Sequence, residues 1–326
     1  MDVDKSVPEK LPVGRFAPSP SGRMHLGNLF AALMSWLSVK SRGGRWILRI
    51  EDLDAQRSKP EYARAIEDDL RWLGLEPDAG GVDALTADGE SYRQSRRHHL
   101  YEAALGRLAS EGLLYGCRCR RADIMATQAP HQSDGRVVYA GTCRPGDAPP
   151  FAYPEGGFVT EHMATRIYVP DEEIHFTDRL YGAQSVNLAE HCGDFLLRRA
   201  DGAWAYQLAV VVDDAAMGVT EVVRGSDLLL SAAQQIYLYR CLGLPAPEFS
   251  HIPLICNSAG QRLSKRDASL AMDALRERYT PQALTGYLAS LAGLLPPGEE
   301  CRPCDLLSIY HDYSEEKDPP ATISLS

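Results

Sequence analysis

The sequence has no long apolar run and no leader typical of secretion. None of its apolar stretches approaches the roughly 20 residues needed to cross a bilayer, and the start, Met1 to Gly14, is charged and contains proline. It also has no internal repeat. We therefore expect a cytoplasmic protein without a membrane partner. No residue pattern sets an oligomeric state, so a monomer is the default expectation.

Positive charge is scarce as well. Acidic side chains outnumber basic ones, which gives a formal net charge of -10 over 326 residues. Because a phosphate backbone attracts accumulated Lys and Arg, this balance excludes indiscriminate binding to nucleic acid. An RNA partner would need a local basic face, and short arginine clusters do occur. With 44% hydrophobic residues, the chain is long enough to bury one large core or two modest ones.

The eight cysteines lack the regular spacing of a disulfide framework. Cys117 and Cys119 are poorly placed to bond to each other, and with Cys143 they lie in a polar, turn-rich segment that is hard to explain as core. Three thiolates favour a structural zinc, with Tyr139, His131 or a water as the fourth ligand. The remaining cysteines are interpreted as single small hydrophobes or as an unassigned pair: Cys192, Cys241, Cys256, Cys301 and Cys304.

Strand and helix patterns alternate in the first part of the chain. A strand and a tight loop lead to a helix predicted over Leu26–Val39, and a β-prone run follows at Trp46–Ile50. A second helix is predicted from Pro60 to Leu73, where Gly74 ends it. This alternation predicts a parallel sheet.

Apolar character returns in the second half of the chain. Phe195–Leu197 and Ala209–Val212 are expected to supply the second half of the parallel sheet, and a helix is expected after Ser226. Acids at a strand end often cap the next helix or bind ribose, so Asp213–Asp214 receive no metal role. The last residues, 314–326, look disordered.

The loop before the first helix is a candidate phosphate site. Pro18 to Gly27 could bring backbone N–H groups and the positive helix terminus against phosphate. Gly27 would allow close approach, and the His25 imidazole could donate to a phosphate oxygen. A lone His at a helix start is more often a cap or a surface residue, so this motif needs its context.

Motifs spread over residues 14–270 resemble, in order and spacing, those of the glutamyl-tRNA synthetases. The matching runs are Arg15–Asn28, Arg49–Asp54 with Arg57, Tyr206–Asp214, Gly218–Thr220, Val223–Leu229 and Arg262–Arg266. Two positions depart from that family: Asn28 stands where the first motif ends in His, and Arg262 where the last begins with Lys.

This resemblance implies a class I synthetase α/β fold, with a Rossmann-like parallel sheet split by a zinc-binding insertion and a short, mostly helical C-terminal part. The expected halves of the catalytic domain are residues 11–98 and 194–257. The insertion would be 99–193, and the lysine loop and helical end 258–326.

The resemblance also implies that ATP with Mg2+ and L-glutamate form glutamyl-adenylate without tRNA. Its nucleotide-binding residues would be His25, Gly27, Asn28, Ser264 and Lys265, and its catalytic residues His25 and Lys265. Its substrate-binding residues would be Arg15, Ala17, Ser19, Glu51, Tyr206 and Arg224. Arginine forks suit the carboxylates of glutamate, and an acid suits its ammonium. The structural alternative makes Arg15–Glu51 or Arg224–Asp227 an ion pair and Tyr206 a core aromatic.

For the metal, the resemblance selects Tyr139 beside Cys117, Cys119 and Cys143 and implies one structural Zn2+ per chain. Because only 61 residues follow Lys265, we expect no further anticodon-binding region. In its Cys and Tyr ligand set and in its short C-terminal segment, the chain resembles a shortened branch of the family, the glutamyl-Q tRNA(Asp) synthetases. This resemblance implies transfer of glutamate to the queuosine of tRNA(Asp). The alternatives are a truncated synthetase charging a tRNA end, a non-catalytic glutamate- or RNA-binding relative, and a nucleotidyltransferase acting on another small acid.

Overall fold

The protein is described here from a computed structural model, which describes residues 11–120, 122, 124, 138–154, 157, 163–257, 270–313 and 322–325. The chain folds into two compact units. Unit 1 comprises Met1–Arg93, Gly218–Ser226 and Pro247–Ser326, and unit 2 comprises Gln94–Met217 and Asp227–Ala246. Among the described residues, no helix combines the length and apolar character that a membrane span requires. The sequence-based boundaries at residues 98, 193 and 257 stay a prediction.

The strands and helices of the described residues are numbered in chain order. The strands are β1 (Val13–Phe16), β2 (Arg45–Leu48), β3 (Ala79–Gly80), β4 (Leu114–Cys117), β5 (Ala164–Ile167), β6 (Glu173–Asp178), β7 (Gly182–Asn187), β8 (Leu196–Arg198), β9 (Glu221–Gly225), β10 (Glu248–Ile252), β11 (Leu254–Cys256) and β12 (Thr322–Ser324). The helices are α1 (Leu26–Lys40), α2 (Pro60–Leu73), α3 (His98–Ser110), α4 (Leu188–His191), α5 (Tyr206–Ala216), α6 (Leu229–Cys241), α7 (Met272–Arg278), α8 (Pro281–Leu291) and α9 (Leu307–Tyr313).

Unit 1 is built on a parallel sheet in which the strands follow the order β3, β2, β1, β9, β10. The parallel register pairs Gly14 with Trp46 on one side of β1 and with Glu221 on the other. Parallel strands that are covered on both faces are apolar throughout, and residues 46–48 of β2 are accordingly almost fully buried. The α/β class with a parallel sheet is therefore confirmed.

The first two helices form as their local signals predict. Helix α1 extends one residue beyond the predicted Leu26–Val39, and α2 has the predicted bounds. Pro60 lies at the start of α2, where its missing N–H costs no helical bond. Gly74 ends the helix with φ 77°, a left-handed conformation that favours glycine.

Unit 2 contains a three-stranded antiparallel sheet in the order β4, β5, β8 and an antiparallel hairpin of β6 and β7. The expectation that Phe195–Leu197 and Ala209–Val212 complete the parallel sheet is wrong. The first run enters β8 of the antiparallel sheet, and the second lies inside α5. Residues 208–214 of α5 are all buried, so the helix shows no polar face that would separate it from a strand.

The first acid of the pair in α5, Asp213, has a structural role. Asp213 is fully buried and accepts hydrogen bonds from Arg97 Nε (2.6 Å), the Gln94 side-chain amide (2.8 Å) and the Tyr101 hydroxyl (2.8 Å). The helix after Ser226 is confirmed as α6, preceded by a 3-10 turn at Ser226–Leu228. The expectation of disorder over 314–326 is wrong for Thr322–Ser324, which pairs in parallel with β11, whereas residues 314–321 lie outside the described residues.

A glycine in α8 is held against the backbone of a later segment. A Cβ built on Gly286 would lie 1.8 Å from the carbonyl oxygen of Glu299, whereas one built on Gly106 of α3 would have nothing within 4 Å. We expect Gly286→Ala to lower the free energy of unfolding by about 1–3 kcal/mol through overpacking. Gly106→Ala should raise it by about 0.5–1 kcal/mol through helix propensity. Urea unfolding of both variants checks this, and a stabilised Gly286→Ala protein would contradict the close approach.

Candidate active site

The loop between β1 and α1 places His25 at the start of the helix. His25 is the N-cap residue of α1 with an extended backbone, and its N–H donates to the side-chain oxygen of Asn28 at 3.1 Å. Asn28 thus caps the helix terminus. A Cβ built on Gly27 would lie 3.2 Å from two ring atoms of His25. The glycine therefore leaves room for the imidazole beside the positive end of the helix.

A buried ion pair follows the end of β2. The Arg49 guanidinium donates to Glu51 at 3.0 Å, and the two side chains are 0% and 10% exposed. The Arg49 N–H donates to Phe16 O (2.9 Å) and the Glu51 N–H donates to Pro18 O (3.1 Å), so this segment runs along the continuation of β1. Glu51 is thus oriented by Arg49, a residue to which the sequence assigned no role.

On β9, Arg224 is buried and is oriented by two side chains of β10. Its Nε donates to His251 Nε2 at 3.1 Å, and its guanidinium carbon lies 5.1 Å from the ring centroid of Phe249. The Phe249 and His251 rings stack, with their centroids 6.1 Å apart. His251 Nε2 is therefore the acceptor that fixes the orientation of the Arg224 guanidinium. Phe249 and His251 were not singled out from the sequence, although residues two apart on a strand share a face and this spacing could have placed them together.

Unit 1 brings four of the predicted residues to the carboxyl edge of its parallel sheet. Arg15 lies in β1, Glu51 follows β2, Arg224 lies near the end of β9, and His25 begins the helix after β1. The strand order reverses between β1 and β9, and ligands of parallel α/β sheets bind outside the strand ends at such a switch point. An arginine-rich edge beside a helix N-terminus suits an anionic ligand.

The other predicted residues lie in the loop after β1, in unit 2, or outside the described residues. In unit 1, Ala17 is half-buried and Ser19 is exposed in the loop after β1. Tyr206 is the first residue of α5 in unit 2 and is 37% exposed, so it is not a core aromatic. Arg262, Ser264 and Lys265 lie outside the described residues.

Unit 2 holds the predicted metal ligands in one cluster. The ligand atoms of Cys117, Cys119 and Cys143 lie within 4.8 Å of one another. The Tyr139 hydroxyl is 3.5 Å from Cys117 Sγ and accepts the N–H of Cys143 at 2.8 Å. Although burial opposes it, hydrogen bonds from the Arg118 backbone and neighbouring side chains lower the pKa of Cys143 to about 7, whereas burial and its thiol neighbours raise the pKa of Cys119 to about 11. Three sulfurs and a phenol oxygen fit a tetrahedral zinc, and His131 lies outside the described residues.

Polar contacts hold this cluster from behind. The Arg166 guanidinium lies 3.7 Å from the centroid of the Tyr139 ring and donates to Asp194 O at 2.6 Å. The Asp194 carboxylate accepts two hydrogen bonds from Arg144, at 2.8 and 2.7 Å, and one from the Val169 N–H at 2.7 Å. The tyrosine is therefore fixed by contacts that the local sequence does not signal, as is common for the residues behind metal ligands.

Comparison with known families decides the relationship. The model of the family described as tRNA synthetases class I (E and Q), catalytic domain, matches residues 13–301, which is most of the chain. The chain belongs to this synthetase family. The class I synthetase match includes all the residues just described at the sheet edge and in the thiol cluster.

Individual proteins that are similar to the chain belong to the same group of synthetases. The chain is 47% identical over 305 residues to a Glutamyl-Q tRNA(Asp) synthetase of Symbiobacterium thermophilum, covering 91% of each chain. It is 45% identical over 296 residues to one of Neisseria meningitidis serogroup C, covering 90% of this chain and 92% of that one. A solved glutamate tRNA ligase of Elizabethkingia meningosepticum, in complex with its amino acid, matches with a TM-score of 0.76 and 29% identity, covering 97% of this chain and 67% of that chain.

Proposed function

We propose that the chain activates L-glutamate with ATP as glutamyl-adenylate and transfers the glutamate to the queuosine of tRNA(Asp). The observation that carries the activation step is the carboxyl edge of the unit 1 sheet, where two buried arginines, one acid and a helix N-terminus come together. The relatives named Glutamyl-Q tRNA(Asp) synthetase support the acceptor.

Each edge residue has a task in glutamate binding. Arg15 and Arg224 would bind the carboxylates, because a guanidinium fork matches a carboxylate in a partly dry pocket. Glu51, held by Arg49, would take the ammonium. In unit 1, Ala17 and Ser19 in the loop after β1 would fix the orientation of the substrate. For Tyr206, in unit 2, a role in binding glutamate is proposed from the family resemblance alone.

In the first reaction, a carboxylate oxygen of glutamate attacks the α-phosphorus of Mg2+-bound ATP, and pyrophosphate leaves as the new P–O bond forms. His25 at the start of α1 and the N–H groups of that helix would stabilise the charge that develops on the phosphates. Ser264 and Lys265 would act on the same phosphates. In the second reaction, a hydroxyl of the queuosine diol attacks the activated carbonyl, which forms an ester and releases AMP.

A structural Zn2+ held by Cys117, Cys119, Tyr139 and Cys143 is part of this proposal. When bound, it would join the end of β4 to the segment containing Tyr139 and Cys143. The chemistry of the donors supports it, since a set of soft thiolates selects zinc over Mg2+ or Ca2+.

The test has two stages. Glutamate-dependent ATP–pyrophosphate exchange is measured first without tRNA, and labelled glutamate is then offered to tRNA(Asp) with and without queuosine. We expect exchange, transfer only to the queuosine form, and continued transfer when the 3′-terminal adenosine has been removed. Transfer that requires that adenosine would identify a synthetase charging a tRNA end, and no exchange would favour a binding relative.

Arg224→Lys tests the carboxylate role within this proposal. Lysine lacks the Nε that donates to His251 and the planar fork. We expect the KM for glutamate in pyrophosphate exchange to rise roughly 10- to 100-fold, with the KM for ATP unchanged. Arg240→Lys, which alters an exposed arginine paired with Glu172, should change neither constant. An unchanged glutamate KM in Arg224→Lys would remove this residue from the site.

A further inference from the structure

Asp69 of α2 is a buried carboxylate shared by two other segments of unit 1. Its side chain is 0% exposed, and its Oδ1 accepts from Arg23 at 2.9 Å and lies 2.8 Å from an Nη of Arg276. Arg23 stands two residues before His25 in the loop leading into α1, and Arg276 lies in α7. One carboxylate oxygen therefore links the phosphate-binding loop, α2 and α7.

The same junction includes backbone contacts beside His25. The Met272 N–H donates to Met24 O at 2.9 Å, and His25 forms an isolated antiparallel bridge with Ala271. Helix α7 follows closely after residues 258–269, which lie outside the described residues and include Lys265. The chain thus returns from the segment containing the lysine at a point held directly against His25.

Two outer ion pairs surround Asp69 but differ from it in exposure. Arg23 also contacts Asp273 at 3.0 Å, and Arg276 contacts Asp68 at 2.9 Å. Asp273 and Asp68 are 69% and 61% exposed, and pairs in water contribute little. Asp69 is buried in a low-dielectric environment, where the interaction energy of a charge pair is larger and depends more strongly on its geometry.

We propose that Asp69 is a positioning residue for adenylate formation: by binding Arg23 and Arg276 together, it holds the start of α7 against the His25 loop. This inference rests on the proposed function, because it assigns the catalytic step that the junction serves. Buried Met272 and Leu275 anchor α7 in the core independently of Asp69. Loss of the carboxylate is therefore expected to misplace α7 relative to His25 without unfolding unit 1.

The charge state of Asp69 makes the junction sensitive to pH. Burial raises its pKa to about 6, against the lowering effect of Arg23 and Arg276 and with a small further raise from Asp68. On α7, Asp273 also faces the junction, because it contacts Arg23. On α2, Arg71 approaches Asp68. As the pH rises through about 6 the carboxylate ionises, which favours its hydrogen bond with Arg23 and its ion pair with Arg276, and as the pH falls the charge is progressively lost.

The direction of the linked stability change separates this effect from unfolding. The pKa of Asp69 is higher in the folded chain than its ordinary value of 3.8, so the folded state binds this proton more tightly than the unfolded state. Its contribution to stability therefore rises as the pH falls through about 6. Acidification would therefore release the junction without destabilising the fold through this group.

Asp69→Asn, an isosteric change, tests the proposal against Asp68→Asn, which removes an exposed charge from the same helix. At pH 8 we expect Asp69→Asn to lower kcat for pyrophosphate exchange by roughly tenfold or more, with the KM for glutamate within about twofold of wild type. Asp68→Asn should match wild type. The ratio of wild-type to Asp69→Asn kcat should fall towards one below pH 6. An unchanged kcat at pH 8, or a ratio independent of pH, would overturn the proposal.

Two further measurements keep the test independent of folding and of the proposed reaction. Arg276→Gln should reproduce the kcat effect, and the double variant should lose no more than about twofold beyond Asp69→Asn, because both changes break one link. Amide hydrogen exchange of Met272 at pH 8 should be faster in Asp69→Asn than in wild type or Asp68→Asn. Equal rates of amide hydrogen exchange in Asp69→Asn and wild type would refute the junction, even if the chain formed no adenylate. Wild-type protein that is inactive in pyrophosphate exchange would refute the proposed reaction and leave the junction standing.

Discussion

His25→Ala is expected to slow glutamate-dependent pyrophosphate exchange by roughly 100- to 1,000-fold, with the KM for glutamate nearly unchanged. The imidazole stands at the N-terminus of α1, and it is proposed to act on the phosphates and not on the carboxylates of glutamate. A group that acts on charge developing in the transition state changes kcat far more than ground-state binding. Steady-state kinetics of exchange, with glutamate and ATP varied separately, measure both constants.

The surface residue His175 of β6 provides the matched control. His175→Ala should exchange pyrophosphate at the wild-type rate. Gly27→Ala should lower the rate in the same sense as His25→Ala, because its Cβ would meet the imidazole at 3.2 Å. Full activity of His25→Ala would show that the ring only occupies the helix terminus, as the isolated motif allowed.

Cys143→Ser is expected to abolish zinc binding and to destabilise unit 2. Three thiols and the Tyr139 hydroxyl supply the donors, and the Cys143 N–H also fixes that hydroxyl. Structural zinc contributes on the order of 10 kcal/mol to folding in small domains, so its loss should produce an early thermal transition. Metal analysis of purified protein and calorimetry, with and without a chelator, measure the two effects.

Cys192→Ser serves as the control, because Cys192 lies in the same unit but donates to the backbone oxygens of Leu188 and Gly193. This variant should keep one zinc per chain and the wild-type transition. If Cys143→Ser kept its zinc, or if wild-type protein purified under reducing conditions carried none, the cluster would be a group of thiols without a metal.

Local signals in the sequence were sufficient for the first helices and failed for α5. Pro60 and Gly74 fix the ends of α2 through backbone chemistry that acts within one turn. Ala209–Val212, by contrast, is a run of β-prone residues whose neighbours on both sides are also buried. A continuous apolar run does not distinguish a buried helix from a strand. Only the tertiary surroundings, including Arg97 and Tyr101 around Asp213, decide it.

The candidate site shows the same division. Arg15, Glu51 and Arg224 could be singled out because their motifs resemble a known family, and each lies at the same sheet edge. The contacts that support them could not be predicted, since His251 and Arg224 lie opposite each other on β10 and β9, which become neighbours only in the fold. Asp69 has the spacing of an ordinary helix-surface acid, and its arginines are 46 and 207 residues away.

Strand β12 supports β11, the strand that immediately precedes residues 257–269 in the chain. Ile323 pairs with Ile255, two positions before Asn257, so the segment that follows departs from a strand supported by the last described residues of the chain. A survey of natural variants restricted to residues that touch nucleotide or glutamate would pass over this support. Substitutions in β12 are therefore expected to weaken β11, the strand from which that segment departs.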